Sequence, residues 1–212
     1  MFKTIIKLAI IFCGLMSFTH GALASAAEPV AFVFKLEGGA HVTHNDKKSA
    51  LKVDDALYAK DTIYTDAKSK IKLVYIDETE MVVAENAVLM IKDYVFDQKK
   101  PENNKALFSF MKGGFSYASG LIAKETVDSV KIQTMFGSIG IRGTKVWGGM
   151  LDKECRIYVE DGEIDVYNDF GKVHLKHGEG TRIKEANISP TPAGVWKEKA
   201  IVWIKGQVAF KE

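Results

Sequence analysis

The chain has few of the staples that small exported domains depend on. Its 212 residues include two cysteines, Cys13 and Cys155, and four prolines. Cys13 falls in a leader-like N-terminus, so a processed chain keeps Cys155 alone and has no intramolecular disulfide open to it. Flanked by Glu154 and Arg156 at a strand start, Cys155 reads as a half-buried structural thiol, not a reactive group or an intermolecular linker. Beyond the N-terminus no apolar run approaches the roughly twenty residues that a membrane-crossing helix needs. An excess of one charge is also missing. Lys plus Arg number 29 against 27 Asp plus Glu, and removing Lys3 and Lys7 with the leader leaves 27 against 27. A neutral chain has no general attraction for phosphate backbones or anionic lipid, so neither nucleic-acid binding nor stable membrane insertion after processing is expected. Signatures of chemistry are scarce too. The spacing Gly-x-Ser-x-Gly is absent, Gly137-Ser138-Ile139-Gly140 being one residue too short for it, and none of the acidic residues is singled out as a catalytic pair. His41 and His44, like His174 and His177, sit three apart. On a strand that spacing places them on opposite faces, so neither pair converges on a metal. No cofactor is expected.

What is present begins with the N-terminus. Lys3 and Lys7 form a basic start, Leu8 to Phe18 is apolar apart from Gly14 and Ser17, and Ala22 to Ala27 is mostly small residues. That is the order of a secretory signal peptide, with an apolar core too short for a bilayer of roughly 30 Å. Cleavage after Ala24, Ala26 or Ala27 would deliver a periplasmic protein. Phe12 stands where lipid attachment at Cys13 would need a small residue. The expected division is a signal peptide over 1–27, one β domain over 28–188, and a C-terminal segment over 189–212 that opens at Ser189-Pro190-Thr191-Pro192. Trp196, Val202, Trp203 and Ile204 make that segment too apolar to dangle. It is expected to pack on the domain, with helix and strand both open.

Between these ends the chain reads as many short strands and turns. Ala31 to Leu36 closes at Gly38-Gly39, and Ala40 to Thr43 closes at Asn45-Asp46-Lys47-Lys48. Ile71, Leu73 and Tyr75 alternate with Lys70, Lys72 and Val74 before the acidic turn Asp77-Glu78-Thr79-Glu80. Asp97 to Lys105 is a polar loop. Asp161-Gly162, set between Arg156 to Glu160 and Glu163 to Tyr167, predicts a two-residue hairpin with Val159 facing Ile164 and Ile157 facing Val166. That register puts Tyr158 and Tyr167 together on the polar face. With Trp147 they form the candidate binding surface, unless the C-terminal segment covers it.

The most distinctive passage runs from Val130-Lys131-Ile132-Gln133-Thr134 through a short turn to Ile141-Arg142-Gly143-Thr144. It resembles the core of the FecR domain family, named for periplasmic regulators of iron-citrate uptake. The surrounding order is also similar to that family: Leu57, Asp61, Ile63 and Thr65; the acidic turn at Asp77; Leu107-Phe108 with Lys112-Gly113-Gly114; Val159-Glu160-Asp161-Gly162-Glu163-Ile164-Asp165-Val166; and Gly178-Glu179. The resemblance spans about residues 36 to 184. It departs where Asp77-Glu78-Thr79 replaces the family's Asp-Gly-Ser. No cytoplasmic segment or membrane span is read before the domain, so a direct anti-sigma role is not carried over.

The expected fold is therefore all-β, many short strands in a sandwich, roll or irregular solenoid, with two related halves meeting near Arg142-Gly143-Thr144 and a short C-terminal appendage. Thr134, Arg142, Gly143, Thr144, Asp161 and Gly162 read as architecture, with Arg142 a buried brace. The expected function is non-catalytic interaction or sensing in the periplasm, through an envelope protein or a cell-wall or sugar ligand. A carbohydrate-active or other hydrolytic enzyme is the alternative, and a component of iron-uptake signalling working through a separate membrane partner is the third reading.

Overall fold

The computed structural model describes residues 28–126 and 128–210, so the leader expected over 1–27 lies outside the described residues. Fifteen strands are linked in one hydrogen-bonded sheet that doubles back on itself. Eight of them precede the polar loop: β1 (Ala31–Glu37), β2 (Ala40–His44), β3 (Lys47–Ala50), β4 (Ala56–Leu57), β5 (Thr62–Thr65), β6 (Lys70–Tyr75), β7 (Glu80–Val83) and β8 (Val88–Val95). Then come β9 (Lys105–Ala118), helix α1 (Leu121–Glu125), β10 (Val130–Thr134), β11 (Ser138–Leu151) and β12 (Glu154–Asn168). The chain finishes with β13 (Gly171–Lys176), β14 (Glu179–Ile183), β15 (Gly194–Val195) and helix α2 (Glu198–Gly206). Period-two burial is clean in β6, where Ile71, Leu73 and Tyr75 are buried and Lys70, Lys72 and Val74 are not.

Following the pairings gives two arms. One runs β3-β2-β5-β8-β9-β10-β11-β12-β13 and uses the first halves of β9 and β11 and the second half of β12. The other runs β4-β1-β6-β7-β9-β11-β12-β14-β15 and uses the remaining halves. The arms face one another across an aromatic core: Tyr75 of the second lies 5.5 Å from Tyr94 and 5.3 Å from Phe108 of the first, ring centre to ring centre. They are not halves of the sequence, because the chain crosses between them repeatedly.

Three strands belong to both arms. β9 crosses at Gly113 and folds Phe110 against Phe115 at 4.4 Å. At the opposite end β11 crosses at Gly143 and β12 at Gly162, where their pairing register slips between Arg142 and Lys145. The expected hairpin at Asp161-Gly162 is thus corrected. β12 is one strand that bends there, and its four apolar residues pair with β11 instead: Val159 with Val146, Ile157 with Gly148, Ile164 with Ile141, Val166 with Ile139. All four are buried, because a bend keeps the same alternation that a hairpin would. The turn that does reverse the chain is Asp152-Lys153, with φ of 49° and 67°, as a type I′ turn requires.

Candidate functional site

Around the Gly143–Gly162 crossing the polar residues hold backbone. The Thr134 hydroxyl donates to the Gly137 carbonyl at 2.9 Å and accepts from the Gly137 amide at 3.1 Å, closing the turn between β10 and β11. Thr144 is buried, and its amide donates to the Ser119 hydroxyl at 2.8 Å. Asp161 is exposed and pairs with Lys145 in the ladder. Arg142 departs from expectation. Its side chain is 40% exposed and lies 3.3 Å from Asp128 and 3.5 Å from Asp165, so it is a surface ion pair and not a buried brace. Alternation along β11 buries Ile139 and Ile141 and puts Arg142 on the outer face of the first arm. Burial alone would raise the Asp165 carboxyl, but hydrogen bonds from Lys172 and His174 and the nearby Arg142 charge hold it below its usual value.

The brace is Asp77, a turn residue that local pattern does not mark as core. It is fully buried beside the same crossing. Its carboxylate accepts from the Tyr94 hydroxyl at 2.6 Å, the Thr79 hydroxyl at 2.9 Å, the Thr79 amide at 3.0 Å and the Ile122 amide of α1 at 3.2 Å. One side chain thereby ties the β6–β7 turn of one arm to β8 of the other and to α1. Glu78 supplies the left-handed residue at φ 70° that glycine would supply more cheaply. Burial pushes the phenols of Tyr75, Tyr94 and Tyr117 well above their usual value, and the Asp77 charge adds to the effect. Cys155 is also fully enclosed; burial pushes its thiol up to about 11 despite a hydrogen bond with Thr134.

Of the four described histidines three pair locally, His44 with Asp61 at 2.5 Å, His174 with Asp165 at 3.0 Å and His177 with the Glu160 carbonyl at 2.5 Å, while His41 lies 3.6 Å from Asp66, beyond hydrogen-bond reach. Among the described residues no three His, Cys, Asp or Glu side chains gather as a metal site.

The three aromatics singled out from sequence are separated by the bend at Gly162. Tyr167 is half-buried on the outer face of the first arm, with Lys131 5.8 Å from its ring centre. Tyr158 and Trp147 lie on the outer face of the second arm, and there the C-terminal segment covers them. β15 pairs with β14, and Trp196 stacks on Tyr158 at 5.7 Å and leaves it 5% exposed. Lys205 of α2 pairs with Glu160 and lies 5.5 Å from the Trp147 ring, whose indole N–H donates to Glu160 at 2.7 Å. The segment then buries Ile204 and Val208 and ends with Phe210 under Lys35 of β1. It is both strand and helix, and it straps the second arm from one edge to the other. Tyr158 is therefore packing, not an exposed contact.

Beside the strap opens a cleft of about 590 Å³. Its floor is Arg156 of β12 and Arg182 of β14, and its walls are Trp196, Lys197 and Lys199 with Trp203 and Asp152. Arg156 and Arg182 are directly opposed in the ladder. The lining includes no Ser, Thr, Cys or His. Sequence reading noted both tryptophans but had no means to join them to two arginines 26 residues apart. Only the β12–β14 pairing does that.

The chain was compared with known proteins. The family model described as "FecR protein" matches residues 61–165. No curated protein sequence matches. Two crystal structures from Parabacteroides distasonis ATCC 8503, each described as a "putative anti-sigma factor", resemble it with TM-scores of 0.52 and 0.53 at 13% identity. The likeness covers 68% of this chain and 65% and 64% of theirs, so the chain spans less than two thirds of their length. At that identity it speaks to fold alone.

Proposed function

We propose that this chain, which the FecR family model matches over residues 61–165, is a non-catalytic sensing or interaction domain of the periplasm. The observation that carries the reading is the cleft beside the strap. It is concave, charged and aromatic, and its lining offers a single carboxylate, Asp152, with no second acid and no Ser, Thr, Cys or His beside it. Such a lining suits recognition. Among the described residues no helix is long and apolar enough to cross a membrane.

The test has two arms. An osmotic-shock fraction should yield a chain beginning at Ser25, Ala27 or Glu28, read by mass spectrometry; an intact Met1 or a lipid on Cys13 would refute export by this route. Cross-linking in the intact periplasm should then give a discrete product that weakens when Arg182 and Trp203 are replaced. Turnover of peptidoglycan or glycoside substrates by the purified protein would overturn the non-catalytic assignment.

A further inference from the structure

Arg156 and Arg182 stand directly opposed on an outer face, and like charges across an antiparallel ladder destabilise it. Arg156 lies 3.5 Å from Asp152 and 3.4 Å from Glu154, both beyond good hydrogen-bond geometry, and its buried Nε has no hydrogen-bond partner. Among the described residues Arg182, Lys197 and Lys199 make no ion pair. Four cations thus line the cleft against one lining carboxylate, Asp152, which together with Glu154 serves Arg156 alone and leaves the other three without a counterion among the described residues. Helix α2 adds to this. Lys197 caps its N-terminus without a side-chain hydrogen bond, and the positive helix end lies beside the lysines, offset in part by Glu198 in the first turn. The tryptophans set the remaining chemistry. Trp196 has one face on Tyr158, and Trp203 carries the Arg156 guanidinium 4.9 Å from its ring centre, yet both reach the cleft.

We propose that this cleft binds an acidic saccharide, a sugar chain bearing carboxylates; the proposal rests on the sensing reading above and names its ligand class. Arginine forks take carboxylates in pairs, and indole surface takes the apolar face of a sugar ring. A bare inorganic anion would make no use of the indoles. An acidic peptide would add to the sheet edge, but β15 has only two residues there, Gly194 and Val195, too few to template a strand.

All three tryptophans lie on or beside this face, so intrinsic fluorescence reports occupancy. The purified protein is titrated with trigalacturonate, with neutral maltotriose and with hexaglutamate, at fixed ionic strength, and calorimetry checks the stoichiometry. Trigalacturonate should saturate one site, and each of the other two should bind at least about tenfold more weakly, the loss of one charge-assisted contact. Arg182→Gln with Lys199→Gln should weaken trigalacturonate by about tenfold or more, whereas Lys47→Gln with Lys48→Gln, the same charge change on β3, should leave it within about twofold. A melting curve for each variant separates loss of binding from loss of fold. Absence of saturable trigalacturonate binding, equal binding of maltotriose, tighter binding of hexaglutamate, or an unaffected Arg182–Lys199 variant would each overturn the proposal. If cross-linking in the periplasm still captures a product in that event, the sensing reading stands and only this ligand class falls.

Discussion

Gly162 and Gly178 have nearly the same backbone, φ of 77° and 81°, but a side chain would fare differently at each. A Cβ on Gly162 would meet the Gly143 carbonyl oxygen at 2.6 Å, whereas one on Gly178 would meet nothing within 4 Å. Gly178→Ala should therefore cost only the left-handed strain, about 1 kcal/mol, while Gly162→Ala adds a backbone collision that can be relieved only by parting β11 from β12, for at least about 2 kcal/mol. Urea unfolding of the two variants reads the difference directly. The same crossing distinguishes two charged residues. Arg142→Ala should cost less than about 1 kcal/mol, since it removes solvent-screened ion pairs. Asp77→Ala strands the donors of Tyr94, Thr79 and Ile122 and should cost at least about 3 kcal/mol. Equal melts for these two variants would mean the brace has been assigned to the wrong residue.

Elements are where sequence reading was strongest and where it failed once in an instructive way. The alternation of β6, the glycine turn after β1, the Asn45-Asp46 turn with φ of 47° and 61°, and the polar 97–105 loop were all legible, because each depends on local pattern. Asp161-Gly162 was misread because a bend and a hairpin share the positive φ at Gly162 and the alternation around it, and sequence names neither the partner strand nor the φ of Asp161. Asp77 was missed for a related reason. A turn aspartate is ordinarily solvated, and what buries this one is α1, some 45 residues away. The strap behaves as an element with its own pH dependence. Burial would raise the Glu160 carboxyl, but hydrogen bonds from Lys205, Trp147 and Lys145 outweigh it and hold the group below its usual 4.5. A depressed carboxyl stabilises the fold above its unfolded value and loses that contribution as pH falls through the folded one. Tryptophan emission should accordingly shift red only once the pH falls below the usual carboxyl range, as the strap loosens. Glu160→Gln should show the loosened spectrum already at neutral pH and lack the acid phase.

Across the whole molecule the two arms are joined by an aromatic and acidic core that responds at the other end of the pH scale. Tyr75, Tyr94 and Tyr117 all have phenols raised above 10 by burial first and by the Asp77 charge in part. For a group raised on folding, stability is complete below its unfolded value and is lost as pH climbs past it. The protein should hold its melting temperature to about pH 10 and then unfold cooperatively, and three of its seven tyrosines should gain phenolate absorbance only in that transition. Gradual ionisation of all seven without unfolding would show that the arms part more readily than the packing implies.

The way the strap is tied down has a mechanical consequence. Its contacts run across the strands and not along them: Trp196 on Tyr158, Lys205 on Glu160, the Ala209 carbonyl on Lys70 and Phe210 beneath Lys35. Tension applied at the C-terminal end loads these contacts one after another, in peeling, whereas the ladders of β11 and β12 would have to fail together, in shear. A pull on that end therefore uncovers Tyr158 and Trp147 and dismantles the arginine-floored cleft while the sheet behind it still holds, so the molecule would yield to force in two steps and give up its recognition surface in the first.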